Sequence, residues 1–306
     1  VLHALAPAAR IAHSGRSLLN HLVGTWSILS AWGASHHVRL AGLLHSVYST
    51  EYFPVAMQSS AERDRFKQLV GPEAELLAHT FCSINRSHLR TELSRHDSVP
   101  SEVPILDRTT GHAATIGRRM AQDLALIEAA NLVEHQHRIG RPPSTWMADA
   151  LFLMRIADAV PAELVGGSSL TVAAEEEAAQ FYRTALDSSV DTATKLLQKC
   201  ILLNPCVGDA RVLLAAALLA NGEWEQAIAR TRQGMDLLNA WTVPWETRLD
   251  IGAWSRLAHH ITIAATRDGD AAAGGRLFEQ CVIRLRSMRD AAPSERGTQE
   301  GVGLAV

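Results

Sequence analysis

Histidine is the side chain through which this sequence could do chemistry, and it is unevenly spread. Of 14 histidines, only His259 and His260 lie beyond His137. Imidazole is the commonest protein metal ligand and a general base near neutral pH, so any chemistry belongs to the first half. His21 and His45 stand 24 residues apart, each inside an apolar run (Leu18-Leu-Asn-His-Leu-Val and Leu40-Ala-Gly-Leu-Leu-His). Such a pair can hold a metal or a substrate; the competing use is a hydrogen-bonded core histidine. His13-Ser-Gly-Arg16 opens the first helix, where it can meet a phosphate or simply cap the helix. His36-His37 reads as a solvated turn. Cys82, Cys200, Cys206 and Cys281 form no Cys-x-x-Cys, which predicts buried thiols in a reducing compartment. Ser46 lies in no Gly-x-Ser-x-Gly elbow and is not expected to be a nucleophile.

The elements that must position these groups read as helices throughout. Leu18, Leu19, Leu22, Trp26 and Leu29 mark one helical face, with Ser17 or Ser14 as cap. Val38–Val47 predicts a short buried helix. Another begins at Ala61–Arg65, and Leu76, Leu77, Thr80, Phe81 and Ile84 stripe the next. Residues 91–110 predict a loop able to act as a lid, 113–137 a long helix and 146–159 one more. Val160 to Ser169, with its Gly-Gly-Ser-Ser, reads as a linker, placed at residues 161–172. Residues 293–306 predict a disordered tail.

Beyond the linker, Ala193 and Ala227 recur 34 residues apart, as do Leu203 and Leu237. That period, with Gly222-Glu-Trp-Glu-Gln-Ala227 and Leu203-Asn-Pro205, resembles tetratricopeptide repeats. The resemblance implies helix pairs over 173–292, a small residue at each crossing and a surface able to take a protein partner. Units at about 175–205 and 208–239 are clear, and a third at about 244–290 is irregular. Trp241, Trp245 and Trp254 are read as core rather than as a peptide groove, and the Glu175–Glu177 run as the acidic start of a helix.

Residues 10–160 resemble the HD superfamily of metal-dependent phosphohydrolases, closest to the hydrolase domain of RelA/SpoT-type alarmone enzymes. His21, the His45-Ser46 pair, Gly71–Arg86 and Ile127–His135 carry the resemblance, with Ser46 and Asn131 where that family has ligand aspartates. It implies a helical domain over 1–160 with His21 and His45 on one divalent ion. Two neutral imidazoles hold such an ion weakly, so a third ligand is required. Glu51 qualifies only if its helix ends near Ser49, because six residues rotate it about 240° from His45. His79 and His135 are the other candidates. Ser46, Asn131, His135 and Arg16 are assigned to substrate contact or to supporting the ligands, and Glu128 and Glu134 to accepting imidazole N–H groups.

Hydrophobic residues at 47% exclude wholesale disorder, and Lys+Arg 29 against Asp+Glu 32 gives no nucleic-acid or anionic-membrane footprint. No apolar run could span a bilayer and the first residues lack the order of a secretory signal, so a cytoplasmic protein is expected. The expectation is therefore an all-α chain: an HD-like helical domain followed by tetratricopeptide-like repeats. Its function would be hydrolysis of a phosphate ester or nucleotide by a single Mn, Fe or Zn ion on His21, His45 and Glu51 or His79. The competing expectation is a pseudoenzyme, or a scaffold working through the repeats.

Overall fold

The computed structural model describes residues 5, 8, 10–13, 16–51, 53–96, 98–137, 141–267 and 270–290. The class is all-α, and among the described residues the strands form only two-stranded antiparallel pairs. Among the described residues, no helix is long and apolar enough to cross a membrane. The tail expected at 293–306 lies outside the described residues.

Strands β1 (Ala12–His13) and β2 (Arg16–Ser17) pair with His13 opposite Arg16. Helix α1 (Leu18–Ala31) follows at once, and Ser17 caps it by accepting the Asn20 N–H at 3.3 Å. Its buried face is Leu18, His21, Leu22, Thr25, Ile28 and Leu29, while Trp26 of the expected stripe turns outward. Helix α2 (His36–Leu44) starts earlier than expected, so His36 and His37 form its first turn, and His45 ends it. β3 (Tyr48–Thr50) and β4 (Phe53–Ala56) then lead to α3 (Arg63–Val70), α4 (Pro72–Ser83) and α5 (Arg86–Ser94). On α4, Leu77, Thr80 and Phe81 face inward but Leu76 is exposed.

Two further expectations are corrected. Residues 91–110 are no open lid. β5 (Glu102–Leu106) pairs along its length with β6 (Ala113–Gly117), with Val103, Ile105 and Ile116 turned into the core. The long helix consequently begins at residue 118: α6 (Arg118–Glu134), then α7 (Met147–Ile156). Nor is the segment before residue 172 a free linker. Ala162–Gly167 coils into a 3-10 turn with Leu164 and Gly167 buried, and the Cys206 thiol donates to the Leu164 carbonyl.

The second half is a series of helix pairs joined by short connections. They are α8 (Val172–Leu186) with α9 (Val190–Leu203), α10 (Asp209–Ala220) with α11 (Trp224–Trp241), and α12 (Ile251–Thr266) with α13 (Ala271–Asp290). Ala193 and Ala227 are fully buried. Glycine lets helices approach closely: a Cβ on Gly208 would stand 2.5 Å from the Gly234 carbonyl oxygen.

The two halves share one hydrophobic core. Glu175, read from sequence only as a helix opener, is fully buried and accepts the backbone N–H groups of Trp146, Met147 and Ala148 at 2.9–3.1 Å. One half thus caps the start of α7 in the other, where a negative charge meets the helix dipole. Trp245 also donates to Glu175 at 3.2 Å, and Trp146 meets Trp241 edge-on at 4.9 Å.

Candidate metal centre

Helices α1, α2 and α6 pack against one another, and each brings polar side chains to their common core. His21 projects from the middle of α1, and His45 from the end of α2, where the chain turns away. On α6, Glu128, Asn131 and His135 recur at steps of three and four, which places them on one helical face. These groups, with His13, Ser46, Thr50 and Arg86, line a cavity of about 320 Å³.

His21 and His45 are 1% and 2% exposed, and their Nε2 atoms stand 3.0 Å apart. Two nitrogens each about 2.1 Å from one ion would be separated by roughly 3.0–3.4 Å, so the pair is spaced as adjacent ligands. Each outer nitrogen is held. His45 Nδ1 donates to the Gly42 carbonyl at 2.7 Å, which leaves a lone pair on Nε2 of the neutral ring. His21 Nδ1 meets the Glu134 carboxylate, whose other oxygen is held by Arg16. Glu134 reaches this position because α1 has a glycine there: a Cβ on Gly24 would lie 2.5 Å from its Oε1.

Burial, aided by the charges of His13 and Arg16, lowers the His21 pKa to about 3. Burial lowers that of His45 well below the usual range, with His21 adding to the effect. Burial raises Glu134 to about 7 against the pull of Arg16. Two proton arrangements satisfy this chain. With Glu134 protonated, it donates to His21 Nδ1, and His21 Nε2–H donates to His45. With Glu134 ionised, His21 Nδ1–H donates to it, and two lone pairs face one point. The first arrangement is complete in itself; the second presents a binding site for a cation.

One ligand atom from each of His13, His21 and His135 also lies within 4.8 Å of the others. His21 is central, with ring centroids 4.6 Å from His13, 4.6 Å from His135 and 4.9 Å from His45. The Asn131 side chain is buried beside them and faces the His21 ring. The nearby carboxylates are engaged, Glu128 with Arg86 at 2.6 Å and Glu134 with Arg16 and His21. An imidazole-rich set suits zinc or ferrous iron and fits manganese or magnesium poorly.

Of the residues singled out from sequence, His21, His45, Ser46, Asn131 and His135 meet at this cavity. Glu51 and His79 do not. α2 ends at Leu44, as a role for Glu51 required. The backbone then passes through a left-handed Ser49 (φ 71°), which turns Thr50 inward and leaves Glu51 exposed. His79 packs its ring against Tyr48 at 5.3 Å, on the side where Arg63 pairs with Glu75. Arg16 stands behind the cavity as the support of Glu134. Arg86 was missed, and His13 was read only as a phosphate contact or helix cap. The pairing of His13 with Arg16 brings His13 beside the start of α1. The four cysteines are free and buried; burial pushes Cys82 up to about 12 and its thiol donates to the His45 carbonyl.

Residues 2–86 match a family model described as Domain of unknown function (DUF6817). The match takes in His13, His21, His45 and Arg86 but stops before the α6 residues. No curated protein and no solved structure matches the chain.

Proposed function

We propose that the cavity is the site of an HD-like metal-dependent hydrolase acting on a phosphate ester or nucleotide, with His21 and His45 on a single zinc or iron ion. The observation that carries this reading is the 3.0 Å approach of the two Nε2 atoms, with both Nδ1 atoms tied elsewhere. His13 and His135, which group with His21 at metal-ligand spacing without His45, replace Glu51 and His79 as the further donors proposed for that ion. A bound ion of this kind supplies Lewis acidity and lowers the pKa of a water. Glu134 fixes the His21 ring and accepts its Nδ1 proton. Arg86, buried and oriented by Glu128, offers a guanidinium to a phosphoryl oxygen, and Ser46 and Thr50 offer hydroxyls on the same wall.

A second reading is favoured by Ser46, Asn131 and the engaged state of Glu128 and Glu134: a pseudoenzyme that binds its ligand without turnover. The short-turned helix pairs after residue 172 support a tetratricopeptide-like scaffold that passes occupancy to a protein partner. Assay of the zinc- and iron-loaded full chain against phosphate monoesters and nucleoside polyphosphates separates these readings. Turnover that is lost with chelator and in Arg86→Gln supports the hydrolase. Metal and nucleotide binding without turnover supports the pseudoenzyme.

A further inference from the structure

Beside its polar groups, the histidine cavity is lined by two apolar side chains, Phe53 and Leu132. Leu132 follows Glu128 by four residues and precedes His135 by three, so it shares their face of α6. Phe53 opens β4, and its backbone N–H donates to the Thr50 hydroxyl at 3.1 Å. Its ring meets His13 edge-on at 5.4 Å. The left-handed Ser49 that turns Thr50 inward thus also sets Phe53. Both apolar side chains are only half-buried, so each keeps surface for a ligand to cover. The charged side chains around the cavity are paired among themselves, Arg86 with Glu128 and Arg16 with Glu134. A divalent ion on the histidines then leaves an excess that one phosphoryl dianion balances and that the several charges of a nucleoside polyphosphate exceed. The volume, about 320 Å³, is at the small end of the roughly 300–1,000 Å³ common for ligand cavities.

We propose that the cavity selects phosphate monoesters of a small aromatic group, which covers Phe53 and Leu132 while the phosphoryl group meets the metal. Phe53 is the specificity-determining residue. This rests on the reading of the cavity as a metal site for phosphate esters. It concerns binding alone and holds with or without turnover.

Calorimetric titration of the zinc-loaded full chain compares two probes that cannot be hydrolysed, phenylphosphonate and methylphosphonate. The phenyl probe is expected to bind about tenfold more tightly. Phe53→Ala is expected to cut that preference to about threefold or less, and Leu132→Thr, on the other element, to lower it by about threefold. Elemental analysis of zinc in each variant shows that its centre is intact. Zinc-dependent binding of methylphosphonate with no advantage for the phenyl group overturns this proposal and leaves the metal-site reading standing. So does a preference unchanged in both variants. Failure of both phosphonates to bind at millimolar concentration overturns the proposal together with the reading it rests on.

Discussion

The decisive residue in this molecule is Glu134, because its proton determines whether His21 and His45 are bonded to each other or open to a cation. Metal binding requires the ionised arrangement, and burial holds Glu134 at about 7. Below that pH, uptake of the ion expels a proton from the coupled Glu134–His21 unit. Apparent zinc affinity should therefore rise about tenfold per pH unit up to roughly 7 and level off above it. Calorimetry in buffers of different ionisation enthalpy checks the release of about one proton at pH 6. Glu134→Gln should lower zinc affinity about 10- to 100-fold without abolishing it, because the ring loses its anchor but keeps its nitrogen. Asn131→Asp places a carboxylate beside the His21 ring, and should admit manganese, read by paramagnetic resonance.

At the scale of elements, α1, α2 and α6 were legible because apolar spacing and the Ser17 cap act locally. The His21–His45 pairing was what the resemblance to the HD superfamily implied for two apolar helices with a histidine in each. What escaped was set by turns. Ser49 in the left-handed region decides that Thr50 rather than Glu51 reaches the cavity, and nothing in a serine announces that conformation. The β5–β6 pair carried a readable sign, Val103 and Ile105 two residues apart on one face with Glu102 and Pro104 on the other, outweighed by the prolines and polar residues around it. Gly24 lies inside α1, where alanine would ordinarily strengthen the helix by about 1 kcal/mol. Here its Cβ would collide with the Glu134 carboxylate. Gly24→Ala should keep the helical circular dichroism of the parent and lose zinc affinity, a combination that identifies the glycine as clearance for the carboxylate.

For the whole molecule, the halves that composition separates at Gly-Gly-Ser-Ser are joined by a buried charge. Glu175 satisfies three N–H groups at the start of α7, and its replacement by alanine would leave them without an acceptor. The expected loss is on the order of 3 kcal/mol, read by chemical denaturation. Because the core is shared, the parent should unfold in one calorimetric transition. A second buried acid sets a pH dependence. Burial, with Glu246 nearby, raises Asp209 from 3.8 to about 7. A raised carboxyl pKa means that the folded state holds the proton more tightly, so this contribution is complete below about pH 4 and is lost as pH rises through about 7. Asp209→Asn should flatten that part of the stability profile, whatever its effect on the absolute value.

The most direct test is elemental analysis of the full chain, prepared without chelator and then titrated with zinc, alongside His21→Ala and His45→Ala. One tightly held equivalent, lost in both correctly folded variants, is the result this account predicts. A parent that takes up no ion, or an ion retained in both variants, would contradict it.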